Sequence, residues 1–204
     1  MIVNLVEQKG LEAEIGKAYD AYVAGYAHPN IRYKAFDFHE RCRSSFDNVS
    51  ELTTAIEADM DTYGIYHRNI VLAQPEKLQT GVIRTNCMDC LDRTNLVQSC
   101  IGRYLFTTML KIAGIKYDPK TNPIVDRVFK EAWANNGDAI SLQYAGTGAL
   151  KSDFTRTGKR QTKGVLKDGA NSLSRYYINN FRDRQRQAAI DILIGETNTS
   201  QNED

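Results

Sequence analysis

The chain has 204 residues and a mass of 23.0 kDa, enough for one domain with a sizeable core or for part of a larger one. With 42% hydrophobic and 25% charged residues its composition is globular rather than disordered, and no apolar run approaches the ~18 residues of a membrane span. Residues 1–20 lack the basic start and apolar stretch of a signal peptide, and four cysteines (Cys42, Cys87, Cys90, Cys100) are too few for a disulfide scaffold and suit a reducing compartment.

Taken in chain order, residues 2–6 (IVNLV) are short and β-branched and predict a buried strand. Leu11, Ile15, Ala18, Tyr19, Tyr22 and Tyr26 then recur at three and four, which predicts a helix with one apolar face, its tyrosine stripe read as core packing. A second strand is expected at 31–38 (IRYKAFDF), and a second helix from Ser50 through Tyr63 with Leu52, Ile56 and Met60 on one side. Thr80-Gly81-Val82-Ile83 predicts a third strand, after which Leu96, Val97, Cys100, Ile101, Tyr104, Leu105, Thr108 and Ile112 trace a long helical face. His39 reads as a core or supporting histidine, His28 and His67 as surface, and Trp133 as packing. No repeat or low-complexity tract interrupts the alternation, so the fold class is α/β, with a mixed sheet flanked by helices.

Charge is unevenly spread. The formal net charge is +1, yet residues 1–80 carry 8 basic and 12 acidic side chains, against 18 and 13 in residues 81–204. The second part is therefore where an anionic partner would be received. Much of the excess lies in Lys151 to Lys167, where Lys151, Arg156, Lys159, Arg160, Lys163 and Lys167 face only Asp153. On charge alone, a solvated loop explains this segment as well as a binding surface does.

Between the third strand and the long helix stands RTNCMDCLDRTN, Arg84 to Asn95. Strand, tight loop and helix N-terminus form an anion cradle, because the first helical N–H groups lack intrahelical partners and the helix dipole is positive there. Cys87 and Arg93 satisfy C-x5-R, and Thr94 follows. A loop of that length can wrap its backbone around a tetrahedral phosphate, with Asn86, Met88, Cys90 and Leu91 lining the cradle while Cys87 attacks phosphorus. Arg93 then grips two non-bridging oxygens, and Thr94 can hydrogen-bond the departing sulfur. The positive field is expected to lower the Cys87 pKa and keep a thiolate near neutrality. Two features complicate this picture: the loop has no glycine, and ionised Asp89 and Asp92 would repel a phosphate dianion. Each must point away, pair with a cation or carry a proton; a protonated one can serve the leaving alkoxide, and a carboxylate that bonds loop amides is the structural alternative.

The stretch resembles the signature of the Sac-domain phosphoinositide phosphatases. Further segments similar to that family follow in the family's order: Asn4 to Gly10 (NLVEQKG), Phe36 to Cys42 (FDFHERC), Trp133 to Asp138 (WANNGD), Gln143 to Arg160 (QYAGTGALKSDFTRTGKR), then Ser174 to Tyr177 with Asn179 to Phe181. The resemblance implies Cys87 as nucleophile, Arg93 as phosphate-binding arginine, and Asp89 or Asp92 as proton donor. It implies removal of monoester phosphates from the inositol ring, chiefly of phosphatidylinositol 4-phosphate, without metal or cofactor. Both aspartates belong to the family motif. Lys159 and Arg160, within the basic segment, become candidates for contact with the headgroup or an anionic leaflet, and Asn136 and Asp138 a polar turn bordering the cleft. The expected location is cytoplasmic, peripheral on the cytosolic face of endomembranes, with no nucleic-acid partner. The expected organisation is the C-terminal portion of a Sac catalytic domain over residues 1–196, an incomplete lobe, followed by a polar tail at 197–204.

Other readings use the same residues. His39-x-x-Cys42 and Cys87-x-x-Cys90 have the spacing of a structural zinc site, though that leaves Arg93 and Thr94 without a role. A module that binds phosphoinositides without turnover is a second, and a thioredoxin-like pair at Cys87 and Cys90 a third.

Overall fold

A computed structural model describes residues 1–68, 77–157, 162–181 and 183–195. It divides the chain into two compact units, Met1–Phe129 and Lys130–Asp204.

The first unit is built on a small sheet. Strands β1 (Ile2–Asn4), β2 (Tyr33–Ala35) and β3 (Arg84–Asn86) pair in the order β2-β1-β3, both pairs parallel, with Asn4 opposite Ala35 on one side and Asn86 on the other. The described sheet is therefore parallel, not mixed. Parallel neighbours require crossover connections, and helices supply them. Helix α1 (Ala13–Tyr26) links β1 to β2, while α2 (Phe38–Arg41), α3 (Val49–Ala55) and α4 (Glu57–Tyr63) lie between β2 and β3. The central strand is sealed, with Val3 and Leu5 fully buried.

The third strand begins just after the residues expected to form it. Arg84 N donates to Met1 O, which starts the β3 ladder, whereas Thr80 N donates to Tyr63 O at the end of α4 and Val82 is exposed. Thr80 is thus tied to the end of α4, and Val82 O accepts from the Met1 amine at 2.8 Å just ahead of the ladder. The predicted helix over 50–63 keeps its apolar face, with Leu52, Ile56 and Met60 all buried, but breaks at Ile56. Helix α5 (Asp92–Ile112) packs Leu96, Val97 and Ile101 into the core; burying a side chain of this kind completely contributes about 1.5–3 kcal/mol.

The tyrosine stripe is a correction. Helix α1 approaches the end of β1 through its smallest residues: Ala13 and Gly16 are buried, and a Cβ on Gly16 would meet Glu7 O at 3.6 Å and Val6 Cγ1 at 3.8 Å. That close approach turns the long side chains elsewhere, leaving Leu11, Tyr22 and Tyr26 exposed and Ile15 about half exposed. Tyr19, Tyr22 and Tyr26 line an apolar groove of about 660 Å³ with Ile2 and Ile15.

The second unit takes in the end of α6 (Pro123–Ala145), followed by α7 (Ser152–Thr157), α8 (Thr162–Phe181) and α9 (Asp183–Ile194). A buried polar staple organises it. Arg175 on α8 donates to Ser141 Oγ at 2.7 Å and to Thr147 Oγ1 at 3.0 Å, joining α8 to α6 and to the turn that follows α6. Asp138 accepts from Ala149 N at 3.0 Å and from Arg156 at 2.8 Å. Asn136 and Asp138 thus stand on α6, not in a polar turn, and Trp133 on the same helix is half-buried. The described part of Lys151 to Lys167 is α7 and the start of α8, not an open loop, and Arg156 is already paired. The expected tail at 197–204 lies outside the described residues.

Candidate functional site

The C-terminal ends of β1 and β3 are locked together by their asparagines. Asn86 Nδ2 donates to Asn4 Oδ1 at 2.7 Å, the same oxygen accepts from Val6 N, and Leu5 N donates to Asn86 O at 2.8 Å. This is the end of a parallel sheet at which open α/β proteins bind ligands. From it Cys87 to Leu91 loop into the first turn of α5. Cys87 and Leu91 are buried, while Met88, Asp89 and Cys90 are exposed.

The glycine-free loop closes on itself. Cys90 takes the left-handed backbone position, φ 54°, that a glycine would fill at lower cost. Its Sγ lies 3.3 Å from Cys87 N, which donates to it, and 3.4 Å from Cys87 O. Asp89 Oδ1 accepts from Leu91 N at 3.1 Å, so in this conformation that carboxylate bonds a loop amide. Asp92 opens α5 and is half-buried. Thr94 is buried, and its Oγ1 has no hydrogen-bond partner among the described residues. An unsatisfied buried hydroxyl costs free energy, so it stands ready for an acceptor.

Arg93 is anchored by residues that sequence reasoning did not single out. Its Nη2 lies 2.6 Å from Glu12 Oε1 and its Nη1 3.0 Å from Glu12 Oε2, with Glu7 Oε1 3.9 Å from Nη1. Glu12, in the single helical turn before α1, also accepts from Glu7 N at 3.0 Å. The Arg93 hydrogen bonds hold the Glu12 carboxyl below its ordinary value of 4.5. The partners are separated by 81 residues, so no local spacing announces them. The segments Asn4 to Gly10 and Phe36 to Cys42, quoted above for their resemblance, pass nearby, bringing Glu7 and His39.

The thiol departs from expectation. Burial pushes Cys87 above its ordinary 9.0; Arg93 pulls it down, while Asp89 and Glu12 push it up. Burial is the largest of these influences, and the field of Arg93 does not offset the desolvation of a thiolate. In this conformation the site therefore holds a protonated thiol near neutrality.

His39 is exposed rather than core, and its Nδ1 lies 3.4 Å from Glu7 Oε1. His28 is exposed as expected, whereas His67 is half-buried. The zinc spacing is not realised: no group of three or more His, Cys, Asp or Glu side chains suited to a metal occurs among the described residues. Lys159 and Arg160 lie outside the described residues. No helix among the described residues is long and apolar enough to cross a membrane.

A family model described as the SacI homology domain matches residues 1–43. The chain is 48% identical over 200 residues to phosphatidylinositide phosphatase SAC2 of Danio rerio, covering 96% of this chain and 17% of that protein. It is 45% identical over 209 residues to phosphatidylinositol-3-phosphatase SAC1 of Drosophila melanogaster, covering 98% and 35%. To phosphoinositide phosphatase SAC7 of Arabidopsis thaliana it is 43% identical over 199 residues, covering 96% and 33%. The chain thus spans at most 35% of the length of these relatives.

Proposed function

Because the chain belongs to the Sac-domain phosphoinositide phosphatase family, over a segment that covers nearly all of it, we propose that it hydrolyses monoester phosphates of the inositol ring through a cysteinyl-phosphate intermediate. The observation that carries this reading is the placement of Cys87 at the end of β3 with Arg93 on the first turn of α5, beside a buried hydroxyl, Thr94, that lacks a partner. Phosphatidylinositol 4-phosphate is the substrate we infer. The fly relative is named for the 3-position, so the two isomers are natural arms of one test.

The chemistry follows from these groups. A buried thiol facing a phosphate dianion has the same proton count as a thiolate facing a monoanion, so transfer of the Cys87 proton to a non-bridging oxygen supplies the nucleophile. Sulfur attacks phosphorus, and the bond from phosphorus to the ring oxygen breaks. The leaving alkoxide takes a proton from Asp89 or Asp92. Arg93 and the loop amides stabilise the charge spread over the equatorial oxygens. Water then cleaves the thiophosphate, and Thr94 hydrogen-bonds the sulfur as it leaves. No step calls for a metal ion.

Phosphate release from short-chain soluble phosphoinositides, with 3-, 4- and 5-monophosphates compared, tests the reading. Cys87→Ser is expected to lose turnover by at least about 10³-fold while still binding, because a serine hydroxyl is far less acidic than a thiol and does not pass its proton to the phosphate. Undiminished turnover in that variant would refute a covalent mechanism. A binding module without turnover is the second reading, favoured by the protonated Cys87 and the occupied Arg93. Substrate binding without phosphate release from the unmodified chain would establish it.

A further inference from the structure

Both Nη atoms of Arg93 are engaged by one carboxylate, at 2.6 and 3.0 Å. They form one of the two edges by which a guanidinium takes an oxyanion bidentately, and a carboxylate presents to that edge two oxygens much as a phosphate monoester does. Glu12 is therefore a built-in competitor for the group on which phosphate binding depends. It is also fixed in place, being buried and accepting the Glu7 amide at 3.0 Å. Glu7 adds a second carboxylate oxygen 3.9 Å from the same guanidinium.

We propose that Glu12 is a positioning residue that holds Arg93 in a resting arrangement and yields it to the incoming phosphate, so that anion binding at Cys87 exchanges one bidentate oxyanion for another. This rests on the reading of Cys87 and Arg93 as the phosphate site. Exchange of like partners is nearly balanced in energy, because Arg93 keeps a charged acceptor throughout. What is lost is the partner of Glu12, which stays behind with the Glu7 amide and adds its repulsion to that of Asp89 for any dianion at the loop. The resting pair thus lowers affinity for bare anions, and a substrate must recover that loss through contacts made elsewhere on its headgroup.

The same pair bears on the thiol, whose state burial sets first. The charged groups acting on Cys87 are Arg93, Asp89 and Glu12. Removing the Glu12 charge leaves Arg93 opposed on that side, among the described residues, only by Glu7, 3.9 Å away. Thiolate formation and oxyanion binding should then become easier together, which a merely structural role for Glu12 would not produce.

The test uses the whole chain, with tungstate as a tetrahedral oxyanion probe and iodoacetamide alkylation of Cys87, located by fragment-ion mapping, as the readout. In Glu12→Gln, tungstate is expected to bind about tenfold tighter, and the pH midpoint of alkylation to move down. Glu7→Gln, which loses only the 3.9 Å contact, should shift both less. In an Arg93→Gln background the Glu12→Gln change should tighten tungstate binding less than it does with Arg93 present, because only the direct repulsion then remains to be relieved. Should Glu12→Gln fail to fold by its melting curve, Glu12→Asp, which shortens the reach but keeps the charge, is expected to tighten tungstate binding to a smaller degree. Tungstate protection in the unmodified chain with no gain in either Glu12 variant overturns the exchange alone. Absence of tungstate protection in every variant overturns the phosphate-site reading and the exchange with it.

Discussion

Asp89 and Asp92 stand three residues apart, yet their surroundings differ. Asp89 is exposed and accepts the Leu91 amide, whereas Asp92 is half-buried on the first turn of α5. Asn in place of Asp89 can still accept that amide, so Asp89→Asn removes acidity with little change to the loop. Whichever asparagine variant loses about 10²–10⁴-fold in turnover on phosphoinositides, and much less on an aryl phosphate whose leaving group needs no proton, identifies the acid. Loss of equal size on both substrates would place the residue in loop structure instead. Cys90 carries a second prediction at this scale. Its exposed thiol lies 3.3 Å from the Cys87 amide, so it is not a buried wall of the loop. Peroxide converts the Cys87 thiolate to sulfenic acid, and the Cys90 thiol displaces water to form a disulfide that dithiothreitol reopens. Because burial keeps Cys87 protonated, this inactivation should accelerate as pH rises toward 9. Peptide mapping that found sulfinic Cys87 beside free Cys90 would refute the trap.

Among the elements, the Arg93–Glu12 pair joins the turn before α1 to α5 and links stability to pH. Glu12 has a folded pKa below its ordinary 4.5. Its stabilising contribution is therefore complete above 4.5 and is lost as pH falls through the lower folded value. Glu12→Gln should be less stable than the parent by about 1 kcal/mol at neutral pH, and the difference should close in urea midpoints as pH falls below 4.5 and through the lower folded value. A difference constant across that range would show that the charge contributes nothing. Element positions were largely legible beforehand: the 50–63 face is buried as its spacing predicts, and so are Leu96, Val97 and Ile101 of α5. Farther along that α5 face, however, Cys100, Tyr104, Leu105 and Thr108 are half-buried and Ile112 is exposed. The break at Ile56 and the shift of β3 to Arg84–Asn86 were not legible; the second follows from Thr80 bonding Tyr63 O at the end of α4, a contact no local pattern announces.

For the molecule as a whole, the proposed substrate raises the question of how the chain would meet a lipid headgroup. Lys151, Lys163 and Lys167 stand at or near the ends of α7 and α8, while Arg156 is drawn to Asp138, which reduces the basic residues available to a membrane. Each remaining one contributes at most about 1 kcal/mol near an anionic surface, and salt screens it. Lys159→Glu with Arg160→Glu is expected to weaken binding to anionic vesicles and slow turnover on them, leaving hydrolysis of a short-chain substrate nearly unchanged. Equal losses on both substrates would put these side chains in contact with the headgroup itself, and no loss on either would mark the segment as a solvated connection.

The sequence by itself determined the α/β class, the loop and helix that follow β3, and the family, because periodicity, C-x5-R spacing and ordered motifs are written along the chain. It also placed Leu52, Ile56, Met60, Leu96, Val97 and Ile101 in the core. Only the tertiary structure decided the parallel pairing, the outward turn of the tyrosine stripe, and the charge state of the site. The physical reason is the same in each case: these depend on partners distant in sequence. Gly16 sets how closely α1 approaches the end of β1, and so which face of the helix is covered. Glu12, 81 residues from Arg93, occupies the guanidinium that C-x5-R alone leaves to a phosphate, and burial, which spacing does not reveal, leaves Cys87 a thiol.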